Sequence, residues 1–379
     1  MRIAIDAHAV GTGLGGNESY ATNLIEALAA IDSVNEYTLY VTRQEAVKKF
    51  SQRWPNFIVR QTRPHTPLIR IPLTLSAELR KNPVDVLHVQ FTAPPFAPCP
   101  VVVSIHDLSF EHLPETFKRR SRAQLRLTVR RSARKATHIL ALSEHAKADI
   151  VATYGISPAK VTAIPIAAAD RFTPVSDERE LQRVRHTYGI AGDYILSVGS
   201  IQPRKNLSRL ISAYARLRQN DPQGTHPRLV IVGRQAWLFG ETLRSIRDSG
   251  FADSIILTGY VPDADLPALY SGARCFVYPS FFEGFGLPPL EAMKCGAPVI
   301  AGNRTSLVEV VGDAGILVDP LDPDAISSAL SRVLNSDDLR EELSVKGLNR
   351  SRLFRWHETA KRTLEVYERA ADNKLPLTS

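Results

Sequence analysis

Cysteine is scarce: Cys99, Cys275 and Cys295 are the whole complement. An odd number, with no C-x-x-C and no Cys/His ligand spacing, excludes a disulfide scaffold and gives no support for a zinc site. The chain also lacks any run near the ~20 apolar residues of a membrane span. Its opening, MRIAIDAHAV, breaks an apolar stretch with Asp6 and His8, which is too polar for a signal peptide. The expected setting is reducing: cytoplasmic, or peripheral on the inner face of the cell membrane. The composition, 44% hydrophobic and 23% charged, excludes a collagen-like or disordered chain. At ~150 residues per domain, 379 residues make two domains, each able to bury its own core.

Acidic residues are absent from one stretch. Residues 118–135, KRRSRAQLRLTVRRSARK, hold nine Lys/Arg and no acid. They supply the whole net charge of +8, because the remainder carries 38 Lys/Arg against 39 Asp/Glu. A surplus confined to one segment argues against a surface coated for nucleic acid and for one local anionic partner. Leu125, Val129 and Ala133, spaced by four, are expected to face the core. A merely solvated basic face is the alternative.

Short apolar runs alternate with helical stretches. In the first half strands are expected at 2–6, 37–42, 84–89, 101–105, 139–142 and 161–164, with helices at 18–30 and from Ser143. In the second half they are expected at 194–198, 229–232, 254–257, 275–278, 299–301 and 315–318, with a last helix at 357–370. Near-continuous apolar strands between helices mean parallel sheets covered on both faces. Two such series mean an α/β protein of two doubly wound, Rossmann-like domains, joined between Ile166 and Tyr194. Ligands of such sheets bind at the carboxyl ends of the strands, so the chemistry is sought there.

Three strand ends stand out. Gly11-Thr12-Gly13-Leu14-Gly15-Gly16 matches G-x-G-x-x-G and precedes a helix. Glycines let the backbone approach a phosphate, and the helix N-terminus favours an anion. Four residues separate this loop from the strand and no acid ends the second strand, so dinucleotide binding is disfavoured; a phosphate or substrate loop, or a plain loop, remains. Ser197-Val198-Gly199-Ser200 leads to Arg204 and Lys205, a fork and a point charge suited to a diphosphate, or else two solvated cations. The most specific segment is 279–293, PSFFEGFGLPPLEAM. A Gly-flanked aromatic turn enters a helix with prolines in its first turn. Glu283 lies before the helix and Glu291 just over one turn inside. Carboxylates suit sugar hydroxyls, and the N–H groups of Phe285, Gly286 and Leu287 suit phosphate or hydroxyl oxygens.

His106-Asp107 follows a strand, so His106 is either a substrate contact or base, or a structural histidine. Ser143 reads as a helix N-cap. Asp263-x-Asp265 and Asp322-x-Asp324 match a metal-binding D-x-D, but both precede helices, where Asp caps. Neither is taken as a metal site.

The E-x7-E spacing of Glu283 and Glu291 resembles the signature of retaining glycosyltransferase family 4, which has the GT-B fold. Gly15-Gly16, His106-Asp107, Ser143-Glu144, Val198-Gly199, Arg204-Lys205-Asn206, Val232-Gly233, Gly259-Tyr260-Val261 and the tail from Trp356 match as well. One loop departs: residues 165–170 read PIAAAD, where many relatives read Asn-Gly-Val-Asp. The resemblance implies an N-terminal acceptor-binding domain (1–170) facing a C-terminal nucleotide-sugar-binding domain (171–355) across a cleft. A last helix (356–379) would cross back to the first domain. Glu291 would hold the ribose, and Glu283 the donor sugar with the N–H groups of Phe285, Gly286 and Leu287. Arg204 and Lys205 would bind the diphosphate. Gly15, Gly16 and Gly199 would border the donor, and Gly259, Tyr260 and Val261 the nucleobase. His106 would contact the sugar near its anomeric carbon. His106, Glu283, Arg204 and Lys205 are thus the expected catalytic residues.

The resemblance further implies transfer with no cofactor and no metal. Fixed cations stabilise the departing diphosphate, which takes the acceptor's proton in a front-face displacement. The acceptor would be a glycan or polyprenyl-linked sugar, with residues 118–135 on an anionic membrane. The look of 197–210 and of the tail resembles bacterial mannosyltransferases of polysaccharide assembly, which makes GDP-mannose the first expected donor and a UDP-hexose the second. A non-catalytic sugar-nucleotide-binding module is the alternative of a different class. An NAD-dependent oxidoreductase would rest on the Gly-rich loop alone.

Overall fold

A computed structural model describes residues 1–13, 15–219, 226–234 and 239–372. The chain divides into two compact units: Met1–Ile166 with Arg355–Ser379, and Ala167–Phe354. The border lies a few residues before position 170. Residues 167–170 go with the second unit because Lys294 Nζ donates to the carbonyls of Ala168 and Ala169 at 3.2 and 3.1 Å.

The strands of the first unit are β1 (Arg2–Asp6), β2 (Glu36–Val41), β3 (Phe57–Gln61), β4 (Val86–Gln90), β5 (Val101–Ile105), β6 (His138–Ala141) and β7 (Val161–Ala163). Among the described residues they form one parallel sheet in the order β3-β2-β1-β4-β5-β6-β7. Central β4 and β5 are buried at every position, which is why VLHVQ and VVVSI read as runs rather than alternations. The edge strand β3 is absent from the sequence expectation. Its sequence FIVRQ ends in two polar residues, and Ile58 stays 52% exposed, so it carries little apolar signal.

The Trp356–Asp372 helix belongs to this unit and packs against the Gly16–Ile31 helix. A buried polar chain keys it to the sheet. Tyr367 Oη meets His88 Nδ1 at 2.6 Å, His88 Nε2 meets Ser104 Oγ at 2.7 Å, and Ser104 Oγ meets Tyr20 Oη at 2.7 Å. Each member finds a partner, so the chain specifies one docking of the helix.

The second unit holds β8 (Tyr194–Val198), β9 (Arg228–Val232), β10 (Ile255–Gly259), β11 (Cys275–Tyr278), β12 (Val299–Gly302) and β13 (Ile316–Val318). These are parallel in the order β10-β9-β8-β11-β12-β13. Ile195, Val277 and Ile300 of the sheet pack with Leu210, Ile211 and Leu330 of its helices. In each sheet the strand order reverses once, between β1 and β4 and between β8 and β11. Doubly wound sheets open a crevice for ligands at such a reversal, beyond the carboxyl ends of the strands.

Candidate functional site

In the second unit the loops after β8 and β11 meet at the reversal. The first loop carries Arg204 and Lys205 in a single 3-10 turn. Asn206 ends that turn in a left-handed conformation, and its amide donates to the carbonyls of Pro279 and Pro320 at 3.0 and 2.6 Å. This pins both cations beside the second loop. Arg204 Nη1 donates to Glu283 Oε2 at 2.7 Å, and Lys205 Nζ donates to Glu283 Oε1 at 2.6 Å. Ser280 Oγ and Tyr278 Oη donate to the same Oε1 at 2.6 and 2.9 Å. The Glu283 N–H donates to Thr305 Oγ1, and Ser306 Oγ donates to the Glu283 carbonyl. Glu283 is held along its whole length.

Burial alone would raise the Glu283 carboxyl. The charges of Arg204 and Lys205, with hydrogen bonds from Lys205 and Ser280, outweigh it and bring the carboxyl down to about 2. Glu283 is therefore ionised at any physiological pH, a pure hydrogen-bond acceptor. Arg204 and Lys205 stay 14% and 11% exposed,, so the cations are fixed without being sealed.

Glu291 does not share this network. It lies in the Leu287–Lys294 helix, half-buried, and accepts from Tyr270 Oη at 3.0 Å. Burial pushes its carboxyl up to about 7, against the hydrogen bond from Tyr270 and the charge of Arg171. Gly286 begins that helix with φ +112° and no side-chain cap. Pro288 and Pro289 have no N–H and the Leu290 N–H donates to the Gly286 carbonyl at 3.4 Å, so of the first turn the Leu287 N–H looks for a partner outside the helix. The Phe285 ring turns away onto Phe354, centroids 5.6 Å apart, leaving its backbone as the part available to a ligand.

The expected donor residues Gly199, Gly259, Tyr260 and Val261 lie on the same edge. Gly199 N–H donates to the Val232 carbonyl, and Gly233 N–H to the Gly259 carbonyl, both at 2.9 Å. These bonds lace the ends of β8, β9 and β10 together. A Cβ on Gly233 would stand 2.0 Å from the Gly199 oxygen, so only glycine permits this lacing. Val261 is buried, but Tyr260 is 55% exposed, with the Arg234 guanidinium 4.2 Å above its ring.

In the first unit His106 follows β5. Its Nδ1 meets Asn17 Oδ1 at 3.0 Å, joining the strand end to the start of the Gly16–Ile31 helix. Burial lowers the imidazole to about 4, only partly countered by Asp107, so the ring is neutral near pH 7. With Nδ1–H donating to Asn17, Nε2 carries the lone pair. Nε2 is buried and has no hydrogen-bond partner among the described residues. The Gly-rich loop is anchored from within: Glu18 accepts the N–H groups of Gly11 and Gly13 at 2.8 and 2.6 Å. Those two groups are thereby spent on a carboxylate. Gly15, at φ +64°, and Gly16 have open space around them; Leu14 lies outside the described residues.

Ser143 caps its helix, accepting from Ala146 N–H, and Asp322 accepts from Asp324 and Ala325 N–H. Asp263 pairs with Arg171 at 2.6 Å. Asp265 makes no side-chain cap; it binds Arg183 and the Tyr188 hydroxyl. Among the described residues no three His, Cys, Asp or Glu side chains gather to hold a metal ion.

The sequence reading missed Tyr278, Ser280, Thr305 and Ser306, which build the Glu283 cradle. It also missed Arg70, whose Nη1 donates to both oxygens of Asp6 at 2.8 Å. This buried pair sits at the end of β1. Burial would raise Asp6, but the charges of His8 and Arg70 hold it far below the usual carboxylate range.

Two parallel α/β units with chemistry at their strand reversals define the GT-B fold of nucleotide-sugar transferases. The crystal structure of Anabaena HepE in complex with UDP and glucose shares it with a TM-score of 0.75, at 18% identity over 97% of this chain and 100% of that one. Residues 180–350 match the "Glycosyl transferases group 1" family and residues 14–168 "Glycosyltransferase Family 4". The Escherichia coli O-antigen chain mannosyltransferase B is 36% identical over 271 residues, 70% of each chain. The E. coli serotype-specific mannosyltransferase WbdA is 34% identical over 62% of this chain, which spans only 29% of that protein. The chain belongs to glycosyltransferase family 4 and is a glycosyltransferase. Among the described residues no helix is long and apolar enough to cross a membrane.

Proposed function

We propose that this protein is a retaining mannosyltransferase, moving mannose from GDP-mannose to a glycan or polyprenyl-linked acceptor without a metal ion. The observation that carries the reading is the Arg204–Glu283–Lys205 cluster at the strand reversal. Cleavage of the glycosyl–phosphate bond leaves negative charge on the diphosphate. Two positioned cations and the N–H groups from Phe285 to Leu287 stabilise that charge without reorganising. Glu283, permanently ionised, accepts hydroxyls of the donor sugar and holds both cations in register. Glu291 accepts the ribose hydroxyls. His106, through Nε2, accepts a hydroxyl near the anomeric carbon. The acceptor hydroxyl attacks the face the phosphate leaves, and the departing phosphate oxygen takes its proton, so configuration is retained. The choice of mannose rests on the names of the two E. coli relatives.

The Arg119–Lys135 helix is the part of this reading that concerns location. Val129 and Ala133 are buried, while Leu127 is 72% exposed among its arginines. The neighbouring loop, tied to the helix by Ala93 N–H to Ser132 Oγ at 2.9 Å, carries Phe96 at 58% exposure. Cations interleaved with exposed apolar side chains suit an anionic membrane surface, at roughly 1 kcal/mol per cation. The protein would then work from the cytoplasmic face as a peripheral enzyme.

The deciding experiment is calorimetric titration with GDP, UDP and ADP in chelator, followed by product analysis with GDP-mannose. Selective binding of GDP and an α-linked product support the reading. Selective binding of UDP moves the donor to a UDP-hexose. A strict metal requirement, or binding without turnover over any donor, overturns it.

A further inference from the structure

The second unit has a cavity at its opposite edge. Asp193, Arg274 and Pro298 immediately precede β8, β11 and β12, and all three line a cavity of about 380 Å³. Glu283, Arg204 and Lys205 lie at the other ends of the same sheet. Arg185, Arg340 and Glu341 complete the charged lining.

Three guanidinium groups around one cavity repel one another unless something compensates them. The protein's own compensation is uneven. Arg340, with a side chain only 10% exposed, donates to the carbonyls of Val333 and Leu334 at 2.7 and 2.8 Å and pairs with Asp337. Arg274 lies 3.4 Å from Asp193 and 3.7 Å from Asp337. Those acids are 56% and 88% exposed, so water screens the pairings. Arg185 makes a 3.5 Å bond to the Gly272 carbonyl and lies 5.9 Å from the Tyr194 ring centroid, and its Nε is buried with no hydrogen-bond partner among the described residues. Capping of helix carbonyls accounts for Arg340. It leaves the buried Arg185 donor unexplained, and such a donor calls for a partner.

We propose that this cavity is a second anion site, taking a phosphate group or a small phosphorylated metabolite between Arg185, Arg274 and Arg340. Guanidinium forks match phosphate oxygens in geometry as well as charge. The volume exceeds that of a bare phosphate and falls in the range of small-molecule sites, leaving room for a compact organic group.

The test is calorimetric titration of inorganic phosphate into the full chain and into the Arg185→Gln, Arg274→Gln and Arg204→Gln variants. Arg274 is 36% exposed, so its variant keeps the fold; circular dichroism checks the other two. The expected result is saturable binding weakened roughly tenfold by either cavity variant, the loss of one charged hydrogen bond, and retained in Arg204→Gln. Binding abolished by Arg204→Gln and untouched by both cavity variants would assign phosphate to the other edge and overturn the proposal. So would the absence of saturable binding up to about 10 mM. Neither result bears on the donor reading, which stands or falls on the nucleotide titrations.

Discussion

At the strand reversal of the second unit a guanidinium and an ammonium each lie within 2.7 Å of one carboxylate, partly open to water. At the corresponding end of the first sheet the charged pair, Asp6 and Arg70, is sealed at 2% and 1% exposure. Buried atoms without a hydrogen-bond partner there include Arg70 Nε and Nη2, Gln90 Oε1 and the Nε2 of the neutral His106. The same topology thus presents fixed accessible charge on one unit and a lone pair on the other. Fixed charge suits a ligand whose own charge changes during reaction; a neutral imidazole suits hydroxyls, which it accepts from without attracting counter-ions. The fold supplies the edge, and a few loop residues decide what the edge can do.

The largest effect should come from breaking the charged side. Arg204→Ala and Lys205→Ala are each expected to lower kcat by about 10²- to 10³-fold, the usual cost of one lost donor to a developing anion. A variant retaining more than about a tenth of wild-type kcat would remove the basis for the electrostatic assignment. On the neutral side, His106→Ala is expected to lower kcat/KM by roughly 10²-fold while leaving calorimetric affinity for the nucleoside diphosphate unchanged. An equal loss of nucleotide affinity would erase the distinction between the two edges.

Glu291 sharpens the contrast within the second unit. With its carboxyl near 7, nucleotide affinity should rise by about tenfold between pH 6 and pH 8 as the carboxylate forms. Glu291→Gln should flatten that profile, and a slope that persists in the variant would assign it to another group.

The smallest and most distributed effect is on stability. His88, lowered to about 3, and His106 and His138, both lowered to about 4, all lie in the first unit. Each contributes stability above its unfolded value of 6.5 that is lost as pH falls toward 4. Glu291 has the opposite sign, since its raised folded value makes its contribution full below 4.5 and lost as pH rises through about 7. Acidification from pH 7 to pH 5 should therefore reduce amide-exchange protection in the first unit more than in the second. Equal loss in both would show that the buried histidines do not govern acid stability.

Much of the fold was legible because its signals are local. Buried parallel strands read as apolar runs, Ser143 and Asp322 announce helix starts, and the turn at Gly284-Phe285-Gly286 with Pro288 and Pro289 marks a helix entry. The edge strand β3 was not legible, because half of its side chains meet water. The cradle around Glu283 was only partly so. Lys205 and Arg204 stand out as cations after a strand, but nothing in the letters ties them to a carboxylate 78 and 79 residues later. The Gly-rich loop shows a limit of another kind. Its letters suggest N–H groups waiting for a phosphate, whereas Glu18 has already taken those of Gly11 and Gly13.

The sequence by itself determined the two α/β units, the edge of each sheet where chemistry belongs, and the family, because apolar period, turn residues and E-x7-E spacing are properties of neighbouring residues. The tertiary structure alone decided which charges pair, which histidine nitrogen is left without a partner, and where each carboxyl titrates. Those depend on burial and on contacts between residues far apart in the chain. It also set Glu283 and Glu291, eight residues apart, at opposite ends of the carboxylate range: one lies against two cations, the other is half-buried beside a tyrosine hydroxyl.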